Sequence, residues 1–295
     1  MTDSAASVIN AETFESAGLF ALQKSKTDLV NPSLIITTYN WPQALRLSVE
    51  SVWKQTVLPK EIIIADDGSK DETRETIEQL RHQSPIPIIH VWQPDEGFQL
   101  SRNRNRSIAA ASSEYIIFID GDCILERHFV EDHIYYAQVG RGICGSRIKL
   151  VSSATAKILK SGNFVKPFFL SSKIRFGYHL SAIRNRWLSN RFVYEVGKLQ
   201  TNAKFHGCNM SFWKSDAIRI NGFDEEYTAW GWEDRDFGLR LRRSGVPIKF
   251  IRHAALQYHL YHQTRADKDN ETRNLFQKSI DQNRIRAEKG LDQYL

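Results

Sequence analysis

A chain of 295 residues suffices for one large α/β domain or two fused ones, and an apolar fraction of 41% supplies a substantial core, which excludes a disordered chain. Forty Lys and Arg against thirty-four Asp and Glu leave a net charge of +6, so anionic partners such as nucleotides, phosphorylated glycans or acidic lipid surfaces are favoured. The three cysteines, Cys123, Cys144 and Cys208, have no metal-site spacing and fit reduced thiols better than a disulfide framework.

In chain order, residues 1–30 read as an extension with one amphipathic helix around Phe14 to Leu22 and no basic-then-apolar leader. No later stretch reaches the roughly 18 uncharged apolar residues of a membrane span, so the expectation is a cytoplasmic protein, peripheral at most on an acidic membrane. Ser33 to Thr37 predicts a short buried strand, Leu45, Val49, Val52 and Trp53 recur at helical spacing, and Glu61 to Ala65 predicts a second strand. A helix over Asp71 to His82, a strand over Ile86 to Trp92, a helix over Ser101 to Ala111 and a strand over Tyr115 to Ile119 continue the series. Such alternation predicts an α/β fold: a mostly parallel central sheet with helices on both faces. Leu125 to Gln138 reads as helical. The pattern then loosens over 151–206, where aromatics interleave with Lys157, Lys160, Lys166, Lys173, Arg175, Arg184, Arg186, Arg191, Lys198 and Lys204 against Glu195 alone. A strand ending at Trp213, a helix opened by Glu233, a strand over Pro247 to Ile251 and a helical tail from Gln263 complete the chain.

In parallel α/β sheets, ligands bind beyond the carboxyl ends of the strands, where loops and helix N-termini converge. The polar residues cluster there: Thr37, Thr38, Tyr39 and Asn40 after the first strand, Asp66 and Asp67 after the second, Asp120 and Asp122 after the fourth. Asp120-Gly121-Asp122 can hold a divalent cation against phosphates through oxygen ligands. The alternative is an Asp-Gly hairpin, but no alternating partner strand follows. Glu233 and Asp234 fall in the first turn of a helix, where the helix dipole alone favours carboxylates. Trp230 and Trp232 beside them offer apolar faces for a sugar ring, with the carboxylates placed to accept hydroxyl protons. His259 and His262 at a strand end can join Asp122 in a metal shell, imidazole suiting Mn²⁺ better than Mg²⁺. Arg102 opens a helix beside the same cleft and can meet an anion there, while Arg104 and Arg106 read as a solvated face.

Ile35 to Asn40, Ile64 to Ser69, Ser101-Arg102-Asn103 and Phe118 to Asp122 resemble the successive motifs of family 2 glycosyltransferases, and Gly222 to Asp234 resembles the half shared by β-1,4-galactosyltransferases and bacterial chondroitin polymerase modules. The resemblance implies the GT-A nucleotide-diphospho-sugar transferase fold, a UDP-sugar donor, a saccharide or glycolipid acceptor, Mn²⁺ (or Mg²⁺) and inversion at the anomeric carbon. It implies that Thr37, Tyr39 and Asp66 contact uridine, with Asn40, Asp67 and Arg102 in the same donor site. Asp120 would lie near the ribose, Asp122 with His259 and His262 would bind metal, Glu233 would anchor the acceptor and Asp234 would act as base. The spacing of the two histidines matches a Met and a His in the galactosyltransferases, so the Met position is replaced. On this reading the chain divides into an extension (1–30), a nucleotide-sugar half (31–150), a basic aromatic segment (151–206), an acceptor and catalytic half (207–262) and a helical tail (263–295). A sugar nucleotidyltransferase would need a glycine-rich basic loop that Thr37 to Asn40 lacks. A nucleic-acid or glycan-binding protein using the basic segment leaves the strand-end acids without a role, and no nucleic-acid partner is expected.

Overall fold

The computed structural model describes residues 30–167, 171–192, 194–195, 205–263 and 269–295. The helix expected over Phe14 to Leu22 lies outside them. Four parallel strands form the first half of the central sheet: β1 (Ser33–Thr38), β2 (Glu61–Asp66), β3 (Ile88–Trp92) and β4 (Tyr115–Asp120). Three of these strands run one residue further than the apolar pattern implies. Thr38 pairs with Asp66 and Thr37 with Asp120, so the ladder extends into the polar residues and holds them in register.

β1, β2 and β4 are buried at nearly every position, and strand alternation divides their apolar side chains between two cores. Leu34, Ile36, Ile62, Ile64, Ile117 and Ile119 pack on one face with Leu45, Val49 and Val52 of α1 (Pro42–Trp53) and Ile77 and Leu80 of α2 (Asp71–Gln83). Ile35, Ile63, Ile116 and Phe118 pack on the other with Ile108 of α3 (Leu100–Ala110) and with Phe223 and Phe237. Helices therefore cover both faces, as the alternation predicted.

Beyond β4 the chain departs from the expected helix. Cys123–Leu125 is a strand, β5, and only Phe129–Tyr136 is helical, α4. β5 does not fold back on β4 as an Asp-Gly hairpin. It pairs with β11 (Gln257–His259), which also pairs with β7 (Ile148–Lys149), to make a separate three-stranded sheet. A three-residue strand has too few positions for a legible period, and its partner is more than a hundred residues away. The central sheet continues from β4 through β9 (Asn209–Trp213), antiparallel to it, to β6 (Gly142–Cys144), β10 (Ile248–Phe250) and β8 (Tyr194–Glu195). After β9, α7 (Lys214–Arg219) leads through a loop to α8 (Glu233–Arg243), and Asp269–Asp281 forms a further helix in the tail.

The basic segment is not uniformly a free cationic surface, because acids remote in sequence meet part of it. Arg184 grips Asp132 with bonds of 2.9 and 2.7 Å, Arg186 bridges Asp132 at 2.9 Å and Glu131 at 2.7 Å, and Lys166 lies 3.2 Å from Glu126. Lys157, Lys160, Lys173, Arg175 and Arg191 remain exposed, while Lys198 and Lys204 fall outside the described residues. Among the described residues no helix is long and apolar enough to cross a membrane.

Candidate active site

The carboxyl ends of β1, β2 and β4 open into a cleft of about 760 Å³, completed by the loop before β9 and the N-terminus of α8. Thr37, Tyr39, Asp67, Asp120, Asp122, His262, Trp230, Trp232, Glu233 and Asp234 line it, so the two acidic clusters face the same space.

One wall is built from β4 outward. Thr37 Oγ1 donates to Asp120 Oδ1 at 3.0 Å. The chain then crosses the tip of β1 at Gly121, whose N–H donates to the Thr37 carbonyl at 2.7 Å; a Cβ at Gly121 would sit 2.7 Å from that oxygen, so only glycine permits the crossing. β5 pairs His259 opposite Cys123, and the Leu260 N–H donates to the Asp122 carbonyl at 3.0 Å. Asp122, His259 and His262 therefore converge, with ligand atoms all within 4.8 Å of one another. His259 Nε2 is 3.6 Å from Asp122 Oδ1 and His262 Nε2 is 3.3 Å from Asp122 Oδ2.

Each ring has its other nitrogen engaged: His259 Nδ1 meets the Leu260 carbonyl at 2.8 Å and His262 Nδ1 the Gln263 carbonyl at 3.0 Å. A carbonyl only accepts, so in the neutral rings Nδ1 carries the proton and Nε2 turns a lone pair toward the carboxylate. Two lone pairs facing a carboxylate repel it unless a proton or cation stands between them. Burial raises the Asp122 pKa, with the histidines offsetting part of the rise, and burial lowers that of His259. Burial thus favours the neutral imidazole that a metal requires, a bound cation would hold Asp122 ionised against its burial, and one oxygen with two imidazole nitrogens is a donor set that fits a divalent cation such as Mn²⁺.

The opposite wall is a helix start. Gly231 lies at φ 102° and Trp232, the N-cap of α8, at φ 72°, a left-handed pair that turns the chain sharply into the helix. Contacts on its ring hold Trp232 in that conformation: the Arg235 guanidinium stacks 4.2 Å above it and the Phe276 ring lies 5.1 Å away. Trp230 is 48% exposed in the cleft. Asp234 Oδ2 accepts the Gly207 N–H at 3.0 Å. Glu233 Oε1 meets Arg104 Nη1 at 3.2 Å, and the two side chains are only 7% and 3% exposed. Glu233 Oε2 and Arg104 Nε are buried without a hydrogen-bond partner among the described residues. Burial, then the neighbouring Asp234 charge, raises the Glu233 pKa, and Arg104 pulls it back.

Three expected donor-site residues fall outside the cleft lining. Asp66 is fully buried behind it, accepting the Ser69 N–H at 2.8 Å and contacting His90 Nε2 at 2.9 Å. Asp67 lines the cleft instead, accepting from Gln93 at 2.6 Å and the Gln99 N–H at 3.1 Å, and burial pushes its pKa up to about 6. Asn40 clasps the loop after β2: its N–H donates to Ser69 Oγ at 2.8 Å and its Oδ1 accepts from the Lys70 N–H at 2.9 Å. Arg102 pairs with Glu96 at 2.7 Å away from the cleft. Arg104, expected on a solvated face, is 2% exposed and lines the cleft. Two residues along a helix rotate the side chain by about 200°, so Arg102 does not line the cleft and Arg104 faces it. Its legible signal was the spacing of Ser101, Arg104 and Ile108, which share the buried face of α3. Arg147, His206 and Cys208 also line the cleft, from loops without periodicity to mark them. Burial pushes the Cys208 thiol up to about 12, so it is protonated at neutral pH.

Residues 33–198 match the family described as Glycosyl transferase family 2, and residues 190–263 match that described as the N-terminal domain of galactosyltransferase. Chondroitin synthase of Escherichia coli is 29% identical over 257 residues, which cover 81% of this chain and 36% of that protein; the chain thus spans about a third of that relative's length. TarS of S. aureus superposes with a TM-score of 0.57 at 17% identity, covering 90% of this chain and 41% of TarS. The mannosyltransferase PcManGT from Pyrobaculum calidifontis, solved in complex with GDP-Man and Mn²⁺, superposes with a TM-score of 0.54 at 14% identity, covering 86% of this chain and 69% of PcManGT. At these identities the structural likeness is one of fold.

Proposed function

Because the chain belongs to glycosyl transferase family 2 and has the GT-A fold of its solved structural relatives, we propose that it is a metal-dependent inverting transferase, moving a hexose or N-acetylhexosamine from a UDP-sugar to a saccharide acceptor. The observation that carries this reading is the opposition of two walls in one cleft: Asp122 with the two histidines, and Asp234 with Glu233. A divalent cation held by Asp122, His259 and His262 would supply Lewis acidity at the departing diphosphate.

The chain's own groups account for the remaining steps. Thr37, Tyr39, Asp67 and Asp120 line the donor side of the cleft, with Asp120 nearest the metal ligands in sequence. Trp230 gives an acceptor sugar an apolar face, and Glu233 Oε2, buried and unpartnered, can take one of its hydroxyls. Asp234 accepts the proton of the attacking hydroxyl as its oxygen bonds to the anomeric carbon; the bond to the diphosphate oxygen breaks and its electron pair leaves with the diphosphate. A single displacement inverts the configuration. Among the described residues Asp234 takes only the Gly207 N–H as a donor, which leaves its other oxygen to the hydroxyl.

The acceptor belongs to a surface polysaccharide or lipopolysaccharide, in keeping with the chondroitin synthase likeness. The exposed cations Lys157, Lys160, Lys173 and Arg175 would favour a phosphorylated glycolipid or an acidic membrane near it. The test is a panel of nucleotide sugars incubated with Mn²⁺ and saccharide acceptors, reading diphosphate release and product configuration. UDP release dependent on metal and a β-linked product from an α-linked donor are expected. Release of a different nucleotide, full turnover in chelator, or a retained α linkage would each remove the corresponding part of the reading.

A further inference from the structure

Arg147 is a cation on a built support that no described carboxylate reaches at ion-pair distance, although the Cys208 sulfur and the Asp120 carboxylate lie near enough to favour its charge. It stands immediately before β7, in the cleft, and partly buried. Its Nη1 lies 3.5 Å from Cys208 Sγ, a weak partner, and no carboxylate lies within ion-pair distance of it among the described residues. A guanidinium withdrawn from water without a carboxylate is costly, and an anionic ligand is the usual compensation.

The segment that presents it is clamped. Asn209 Nδ2 donates to the Ser146 carbonyl at 2.8 Å and to the Ala255 carbonyl at 3.0 Å, while the Gly145 N–H donates to the Asn209 carbonyl at 2.9 Å. A Cβ on Gly145 would lie 2.5 Å from the Asn209 amide, so glycine is required for the chain to pass this closely. Asn209 Oδ1 meets His133 Nε2 at 3.0 Å, tying the clamp into the core. On the far side of Arg147, Lys149 pairs with His259 across β7 and β11, and the Leu150 N–H donates to the His259 carbonyl at 3.0 Å. Arg147 is thus held on rigid backbone between the clamp and the strand that carries a proposed metal ligand.

We propose that Arg147 binds the diphosphate of the nucleotide donor, supplying a second positive charge beside the Asp122, His259 and His262 group. This rests on the nucleotide-sugar reading above. The planar guanidinium can take two phosphate oxygens at once, which a lysine ammonium cannot reproduce, so the site is specific for arginine and not merely for charge.

Calorimetric titration of the full chain in Mn²⁺ with UDP, inorganic pyrophosphate and uridine separates the contributions. Arg147→Met should weaken UDP and pyrophosphate binding by about 10- to 100-fold, the loss of a charge-assisted contact, and leave uridine unchanged. Arg147→Lys should fall between Met and the parent, and Lys278→Met, on the exposed surface of the tail helix, should match the parent. If Arg147→Met does not fold, the Arg147→Lys loss for UDP against uridine decides the matter alone. A parent that binds UDP, with arginine variants that bind it equally well, overturns the role of Arg147 and spares the donor assignment. A parent that binds neither UDP nor pyrophosphate overturns both.

Discussion

The two walls of the cleft solve the problem of concentrated negative charge in opposite ways. At the Asp122 wall every group except the facing side-chain atoms is engaged: Gly121 is bonded to Thr37, the Asp122 carbonyl to Leu260, and each histidine Nδ1 to a carbonyl. What remains is a preset cluster of one carboxylate and two Nε2 atoms. At the Glu233 wall the protein supplies its own cation, Arg104, yet leaves Glu233 Oε2 and Arg104 Nε buried without partners. On the proposed reading the first wall is arranged to hold a divalent ion, and the second to receive polar groups of a substrate. Buried polar atoms without partners cost about 1–3 kcal/mol each, so the second wall stores a cost that an acceptor hydroxyl would relieve.

Mutations at each wall test that contrast. The largest effect is expected from Asp122→Asn, which should reduce transfer to background while the melting temperature holds. Turnover near the parent's would break the metal assignment. His259→Ala with His262→Ala should shift the Mn²⁺ titration to higher concentration; an unchanged titration would remove both rings from the shell. Asp234→Asn should lower the transfer rate by at least about 10²-fold with UDP binding retained, the range of general-base loss. Glu233→Gln should act mainly on the acceptor KM, since an amide still accepts a hydrogen bond from a hydroxyl but carries no charge. Equal kcat losses in the two variants would erase the distinction between them.

Smaller effects sharpen the comparison. Arg104→Met removes the cation that holds the Glu233 pKa down against burial and Asp234, so that pKa should rise further and the acid limb of the rate profile should move to higher pH. An unmoved limb would show that Arg104 only packs. The smallest expected effect lies at Asp67, outside both walls. Its folded pKa of about 6 exceeds the ordinary aspartate value of 3.8, so between these values the folded state holds the proton more tightly and stability falls as pH rises. The total is at most about 3 kcal/mol. Asp67→Asn should flatten the slope of melting temperature against pH across that window, and an unchanged slope would refute the shift.

The expected residues show how far a sequence reaches. Apolar runs of three to five residues with helical patterns between them mark β1, β2, β4 and the helices on both faces, because strand and helix periods are local properties of the chain. The acids at the strand ends were legible for the same reason: a buried ladder must stop near unpaired charge. Arg102 and Arg104 marked the limit of the helical pattern, since Arg104 shares a helix face with Ser101 and Ile108 and only its tertiary partner Glu233 explains an arginine on that face. Lys157, Lys160, Lys173, Arg175 and Arg191 of the basic segment are exposed, but Arg184 and Arg186 meet Asp132 from more than fifty residues away.

By itself, then, the sequence determined the α/β order, the two apolar faces of the sheet and the chemical types gathered at its carboxyl edge, all of which depend on neighbours within a few positions. Tertiary structure alone decided that Cys123–Leu125 is a strand paired with β11, that Arg104 faces Glu233, and that Arg147 stands clamped by Asn209. Each of these is a pairing across a long stretch of chain. The pairing energy comes from hydrogen bonds and buried charge that exist only once the two cores have brought the partners together, so no local pattern records it.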